Sequence, residues 1–382
     1  MHICFITHEY PKTGFPHGGI GSFVKTIATE LVKNGIKVSV VGINYINQNE
    51  NYQENGVSIY RLNTNSIKGL TWFLNARLIN NKIKEIHSNN PISIIETSEL
   101  GLAFINKIKS IKCIIRLHGG HHFFAESENR EINFWKGFQE KRSFKKADSF
   151  IAVSKYVKTH TEKYLSYNDK SVGLINYPIN TILFKPLNLP IIENRIVFAG
   201  TVCEKKGIRQ LIQAFGIVKN KFPKSTLEIY GRDWFFKNGK SYIEMLKDVE
   251  LPKLNHFAKD INFHGAVDYD NIPNKYAEAE VCVFPSHMET QGLVAPEAMV
   301  MEKVVIFTKL GPGPETIIDF ETGLLCNPFD IADISNKILW VFNNKQKSIS
   351  MGQKARESVL ENYNLDIVLK QNIDFYQKLL IK

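Results

Sequence analysis

The sequence predicts a two-domain α/β protein in which each domain is a doubly wound, mainly parallel sheet. Three observations carry that prediction. The chain has 382 residues, more than one ordinary α/β domain needs and enough for two of about 180. Short β-branched or aromatic runs alternate with helical stretches. A polar, proline-bearing stretch, Asn176-Tyr177-Pro178-Ile179-Asn180 followed by Phe184-Lys185-Pro186 and Pro190, separates two such series and suits a linker.

In the first series, strands are expected at residues 2–7, 37–42, 57–61, 92–96, 112–117, 149–153 and 172–175, with helices such as 20–34 and 70–88 between them. The pattern restarts at 195–199, 226–230, 261–263, 281–284, 304–307 and 324–326. Beyond Leu325 the chain reads as helical, at 330–343, 347–362 and 365–380. Two such domains are expected to face each other across a cleft, with ligands at the carboxyl ends of the strands.

Composition narrows the class. Hydrophobic content of 43% and charged content of 23% fit a soluble globular protein. No stretch approaches the roughly 18 apolar residues that span a bilayer. Met1-His2-Ile3-Cys4-Phe5-Ile6-Thr7 lacks a basic leader region and reads as a first strand. Cys4, Cys113, Cys203, Cys282 and Cys326 are scattered singly with no C-x-x-C pair, so a reduced, cytoplasmic location is expected.

The net charge of +10 is lopsided. Residues 1–182 hold 23 Lys+Arg against 14 Asp+Glu, and residues 183–382 hold 25 against 24. Such an excess marks either a solvated lysine-rich surface or contact with an anionic membrane or nucleic acid. The segment 133–146 (NFWKGFQEKRSFKK) is both basic and aromatic. It is expected to pack Phe134, Phe138 and Phe144 onto the sheet; the alternative is an amphipathic face for anionic lipid.

The chemistry concentrates at residues 281–299. A buried strand ends at Pro285, a polar loop carries Glu289, and a helix starts near Leu293 with Glu297 one turn in. The amides of Gln291, Gly292, Leu293 and Val294 favour an anion or hydroxyl acceptor. Each carboxylate can accept two hydrogen bonds from a vicinal diol, so the pair suits a ligand with ribose at one end and hexose at the other. A capping glutamate and an exposed helix glutamate are the plain alternative.

This segment resembles the E-x7-E motif of retaining glycosyltransferase family 4, whose fold is GT-B. Further similarities follow in order: His17-Gly18-Gly19-Ile20-Gly21-Ser22-Phe23-Val24, Leu117-His118-Gly119, Ala152-Val153-Ser154, the segment from Phe198 through Gly200-Thr201 to Lys206-Gly207-Ile208, Phe263-His264-Gly265, and Gly311-Pro312-Gly313-Pro314-Glu315. The resemblance implies an acceptor domain at 1–180, a nucleotide-sugar domain at 181–362, and a helix at 363–382 returning to the first. It implies Glu289 on the transferred sugar, Glu297 on the ribose, and a hexosyl transfer that retains anomeric configuration without a metal. The donor is expected to be UDP-linked ahead of GDP-linked. The acceptor is expected to be a glycan or a lipid-linked glycan in bacterial surface polysaccharide or glycolipid synthesis. No cofactor and no nucleic acid are expected; the anionic inner face of the membrane is a candidate partner.

Each further residue has a physical reason. Gly18, Gly19 and Gly21 let backbone approach a phosphate ahead of a helix. They do not form a dinucleotide fingerprint, because the loop from Thr7 is too long and no acid ends the next strand. Lys206 reads as opening a helix after a strand, where a fixed cation can stabilise a departing diphosphate. The resemblance favours it over Lys205. It also shows a departure: Thr201 stands where the family's phosphate arginine usually follows the glycine, and Arg232 is a candidate replacement. His118 can bond a sugar hydroxyl or guide the acceptor. His121 and His122 beside it do not read as metal ligands, because Glu126 and Glu128 look like loop or helix-start residues. The competing readings are a phosphorylase or epimerase of the same fold, and a non-catalytic basic binding protein.

Overall fold

The computed structural model describes residues 1–15, 18–64, 67–127 and 130–381. The chain divides into two compact units, Met1–Tyr177 with Val368–Lys382 and Pro178–Ile367.

Unit 1 runs β1 (His2–Ile6), α1 (Gly19–Lys33), β2 (Lys37–Ile43), β3 (Glu50–Glu54), β4 (Val57–Leu62), α2 (Thr71–Asn89), β5 (Ile94–Thr97), β6 (Lys112–Leu117), α3 (His121–Ser127), α4 (Phe134–Lys146), β7 (Ser149–Ala152), α5 (Lys155–Glu162) and β8 (Val172–Leu174). The strand order is β3-β4-β2-β1-β5-β6-β7-β8, parallel except for β3 against β4. β1 is central, in register from His2↔Lys37 on one side and from Ile3↔Ile94 on the other. All five of its side chains are buried, as expected of a strand covered on both faces.

Unit 2 runs β9 (Arg195–Ala199), α6 (Ile208–Lys221), β10 (Thr226–Tyr230), α7 (Tyr242–Met245), β11 (Ile261–Gly265), α8 (Ile272–Ala277), β12 (Val281–Phe284), α9 (Val294–Met299), β13 (Val304–Thr308), α10 (Gly313–Thr316), β14 (Leu324–Cys326), α11 (Ile331–Asn343) and α12 (Lys345–Asn362). Its all-parallel order is β11-β10-β9-β12-β13-β14. The last helix, α13 (Leu365–Ile381), begins with unit 2 and from Val368 packs in unit 1.

That packing is polar at its centre. Arg116 on β6 is fully buried, pairs with Glu96 on β5 at 2.7 Å and donates to Asn372 Oδ1 at 2.5 Å. The Tyr376 hydroxyl donates to the same Glu96 at 2.7 Å. A buried ion pair needs its remaining donors and acceptors satisfied, and here α13 supplies two of the partners.

Several local readings are corrected. Strand β3 was not expected; it pairs with β4 through Asn55-Gly56, both at positive φ, the turn chemistry of a two-residue hairpin. Helix α3 was not expected either, and it places Glu126 within a helix near its end; His17 and Glu128 lie outside the described residues. The stretch read as a linker contains the boundary between the units, at Tyr177 and Pro178, and its Ile179 and Phe184 are buried in the core of unit 2. On α4 only Phe144 packs inward, while Phe134 is 85% and Phe138 43% exposed.

Candidate functional site

In unit 2 the residues singled out by the sequence lie at the carboxyl ends of β9, β10 and β12. After β9 the backbone turns through Gly200 and forms a single 3-10 turn, Glu204–Lys206, before α6. Lys206 therefore closes that turn instead of opening a helix. Gly207 follows at φ +70, and a Cβ there would meet the Pro285 carbonyl oxygen at 1.9 Å. Only glycine allows both the left-handed backbone and that approach. The His287 amide donates to the Lys205 carbonyl at 2.8 Å, tying the loop after β12 to the turn. Through these two contacts the Lys206 ammonium reaches Glu289, and the two side chains form an ion pair.

Glu204 is occupied elsewhere. Burial would raise its pKa, but hydrogen bonds from Arg209, Tyr242 and Gln210 outweigh that and hold it at about 2. Lys206 is left facing Glu289, which is 8% exposed.

The loop beyond Glu289 turns at Gly292, φ +77, where a Cβ would meet the Phe307 ring at 2.6 Å. Gln291 beside it is buried. Leu293 caps α9, and the amides of Gly292, Leu293 and Val294 precede its first internal bonds, Ala295 N to Gly292 O and Glu297 N to Leu293 O. Glu297 is buried and accepts a hydrogen bond from the Tyr269 hydroxyl at 2.7 Å. Burial pushes its carboxyl up to about 7, with the Tyr269 bond pulling the other way. Glu289 and Glu297 thus differ in environment: one meets a cation, the other a phenol.

Thr201 and Arg232 are brought together by backbone. The Val202 amide donates to the Arg232 carbonyl at 2.9 Å, and Val202 bridges Asp233. The Arg232 side chain is exposed, and among the described residues it makes no ion pair.

Unit 1 has its own site at the carboxyl ends of β1, β2, β5 and β6, a cavity of about 610 Å³ bordered by Thr7, Ser98, Glu99, Gly119, Gly120 and Lys136. Gly18 caps α1, and Gly19 and Gly21 lie in its first turn. The Gly18 amide is already bonded to the Glu9 carboxylate at 3.2 Å, so an acid occupies the anion position there. His118 pairs through Nδ1 with the Tyr177 hydroxyl and packs 5.9 Å from Phe23 of α1. Burial, aided by Arg116, lowers its pKa to about 3, which keeps the imidazole neutral across the physiological range. His122 pairs with Glu140, while His121 faces Arg130.

Three residues escaped the sequence reading. Glu99 accepts from the Gly119 amide at 2.7 Å and burial raises it to about 8; its position two residues past β5 was the available signal. Tyr269 lies four residues beyond Phe263-His264-Gly265. Glu9 lies three residues past β1, and nothing in the sequence marked it as reaching Gly18.

The model "Glycosyl transferases group 1" matches residues 180–358. The model "Glycosyltransferase Family 4" matches residues 17–182. The chain belongs to glycosyltransferase family 4. An uncharacterized glycosyltransferase of Methanocaldococcus jannaschii is 26% identical over 354 residues, 91% of each chain. The capsular polysaccharide biosynthesis glycosyltransferase CapM of Staphylococcus aureus is 26% identical over 188 residues, 48% of this chain and 46% of CapM. Sucrose-phosphate synthase of Thermosynechococcus elongatus superposes with a TM-score of 0.86 at 22% identity, covering 100% of this chain and 99% of that one. Anabaena HepE, solved with UDP-glucose, gives 0.77 at 16% identity, covering 99% and 100%. The fold of this glycosyltransferase is therefore GT-B, with two Rossmann-like domains.

Proposed function

We propose that this glycosyltransferase moves a hexose-type sugar from a nucleoside-diphosphate donor, UDP ahead of GDP, to a glycan or lipid-linked acceptor, with retention of configuration and without a metal. The observation that carries the reading is the Lys206–Glu289 pair, with Glu297 on the helix that the same loop enters. The presence of UDP-glucose in HepE and the polysaccharide role of CapM support the donor class and a place in surface polysaccharide or glycolipid synthesis. Five buried free cysteines fit a reducing, cytoplasmic setting.

In this mechanism Glu297, as carboxylate, takes the ribose hydroxyls in place of the Tyr269 phenol. The loop amides at Gln291, Gly292, Leu293 and Val294, with Thr201, border the diphosphate. Arg232 supplies the cation that Thr201 does not. Lys206 meets the charge that grows on the leaving diphosphate, and a group made only for the transition state raises turnover. Glu289 then orients sugar hydroxyls. The acceptor proton passes to the leaving phosphate oxygen on the same face of the sugar. In unit 1, neutral His118 bonds a sugar hydroxyl, and Gly18, Gly19 and Gly21 offer backbone to phosphate once Glu9 releases the Gly18 amide.

The test is a panel of UDP-, GDP- and ADP-sugars with and without glycan and lipid-linked acceptors. Acceptor-dependent release of one nucleoside diphosphate, with the product's anomeric configuration matching the donor's, is expected. Phosphate-dependent turnover would identify a phosphorylase instead, acceptor-independent conversion an epimerase, and no turnover a binding protein.

A further inference from the structure

Unit 1 exposes an aromatic platform that its own core does not use. Trp72 at the start of α2 packs against Phe104 at 4.5 Å and Trp135 of α4 at 5.4 Å between ring centroids, and Trp135 stacks on Phe138 at 5.7 Å. Although these rings touch one another, Trp72, Phe73, Trp135 and Phe138 each leave about 39–49% of their surface in solvent, and Phe134 leaves 85%. Scattered exposed apolar residues are ordinary, but a contiguous aromatic patch marks an interaction surface.

Its surroundings are mainly basic, the acids nearby being Glu85, which pairs with Lys82, and Glu131. Residues 67–84 hold Lys68, Arg77, Lys82 and Lys84 and no acid. Residues 132–146 hold five cations and a single acid, Glu140, which is fully buried against His122. Lys68, Arg77, Lys141 and Lys145 are exposed and, among the described residues, make no ion pair. Rings with amphipathic edges set among unpaired cations complement an interface that is apolar below and anionic above. No helix among the described residues is long and apolar enough to cross a membrane, so contact would be lateral.

We propose that the face formed by the start of α2 and the outer side of α4 docks on an anionic lipid bilayer, the aromatic rings entering the headgroup boundary and the lysines meeting lipid phosphates. Nothing in the patch depends on the donor assignment, so loss of vesicle binding would leave sugar transfer standing.

The experiment is co-sedimentation of the full chain with vesicles of phosphatidylcholine alone, or of phosphatidylcholine and phosphatidylglycerol at 3:1, at low and high salt. Wild type is expected to partition onto the anionic vesicles only, with binding lost at high salt. K141E/K145E is expected to lower the partition coefficient at least tenfold, at roughly one charge contact per lysine. F134S, at a side chain that packs on little, is expected to lower it several-fold while circular dichroism is unchanged; F138S is the second aromatic variant. Failure of wild type to bind, or binding unchanged by both the charge and the F134S variants, overturns the proposal. So does light scattering that shows a dimer which F134S converts to monomer, because a second copy would then cover the patch.

Discussion

Lys206 and Glu289, eighty-three positions apart, form an ion pair that exists because a glycine lets their supporting loops touch. Gly207 lets the turn after β9 lie against the Pro285 carbonyl, and the Lys205–His287 backbone bond fixes the register. In the proposed reaction the pair is a resting arrangement: the ammonium is held near the position of the diphosphate by a carboxylate that later serves the sugar.

Lys206→Ala is expected to lower turnover about a hundredfold with a smaller change in donor KM, as loss of a transition-state charge partner does. Steady-state kinetics with saturating acceptor checks this. Near-normal turnover would remove Lys206 from the mechanism.

Gly207→Ala should damage the same step without touching a charge. The left-handed backbone alone costs a side chain about 1–2 kcal/mol, and the Pro285 oxygen adds a clash. Lower thermal stability and loss of turnover comparable to that of Lys206→Ala are expected. A stable, active variant would show that the loop contact does not position Lys206.

Glu297 carries a pH dependence. Its carboxyl rises from an ordinary 4.5 to about 7 on burial. The folded state then binds the proton more tightly than the unfolded one, so stability falls as pH rises from about 4.5 through 7, by about 3 kcal/mol at most. Glu297→Gln should flatten that decline in urea titrations between pH 5 and 8. If the carboxylate holds ribose, donor affinity of the wild type should strengthen over the same interval, and that of the variant should not.

Arg116→Met should be costly to folding. It leaves Glu96 buried without its cation, a loss of about 3–5 kcal/mol, and removes the bond to Asn372. Chemical denaturation measures the stability. Removal of residues 368–382 should also destabilise unit 1, since Tyr376 and Asn372 leave with it.

Much of the architecture was legible because buried parallel strands write themselves as apolar runs: β1, β9, β12 and β13 show nearly uninterrupted burial. β3 was not, because its side chains are polar and mostly exposed, although Asn55-Gly56 announced the hairpin. Motif spacing pointed to Lys206, Glu289 and Glu297 but not to their contacts. A Lys–Glu pair between loops and a Tyr269 bond across 28 positions are long-range, and neither has a local signature. Likewise the amphipathic reading of α4 located Phe134 and Phe138, but only the packing of Trp72 and Phe104 against Trp135 revealed the platform.

The most direct test of the donor site is calorimetric binding of UDP and of 2′-deoxy-UDP to wild type, Glu297→Gln and Lys206→Ala. Wild type is expected to bind 2′-deoxy-UDP more weakly than UDP, Glu297→Gln to bind the two alike, and Lys206→Ala to keep the difference. Equal loss on removing the hydroxyl in wild type and Glu297→Gln would contradict the ribose assignment, and with it the placement of the nucleotide-sugar at this loop.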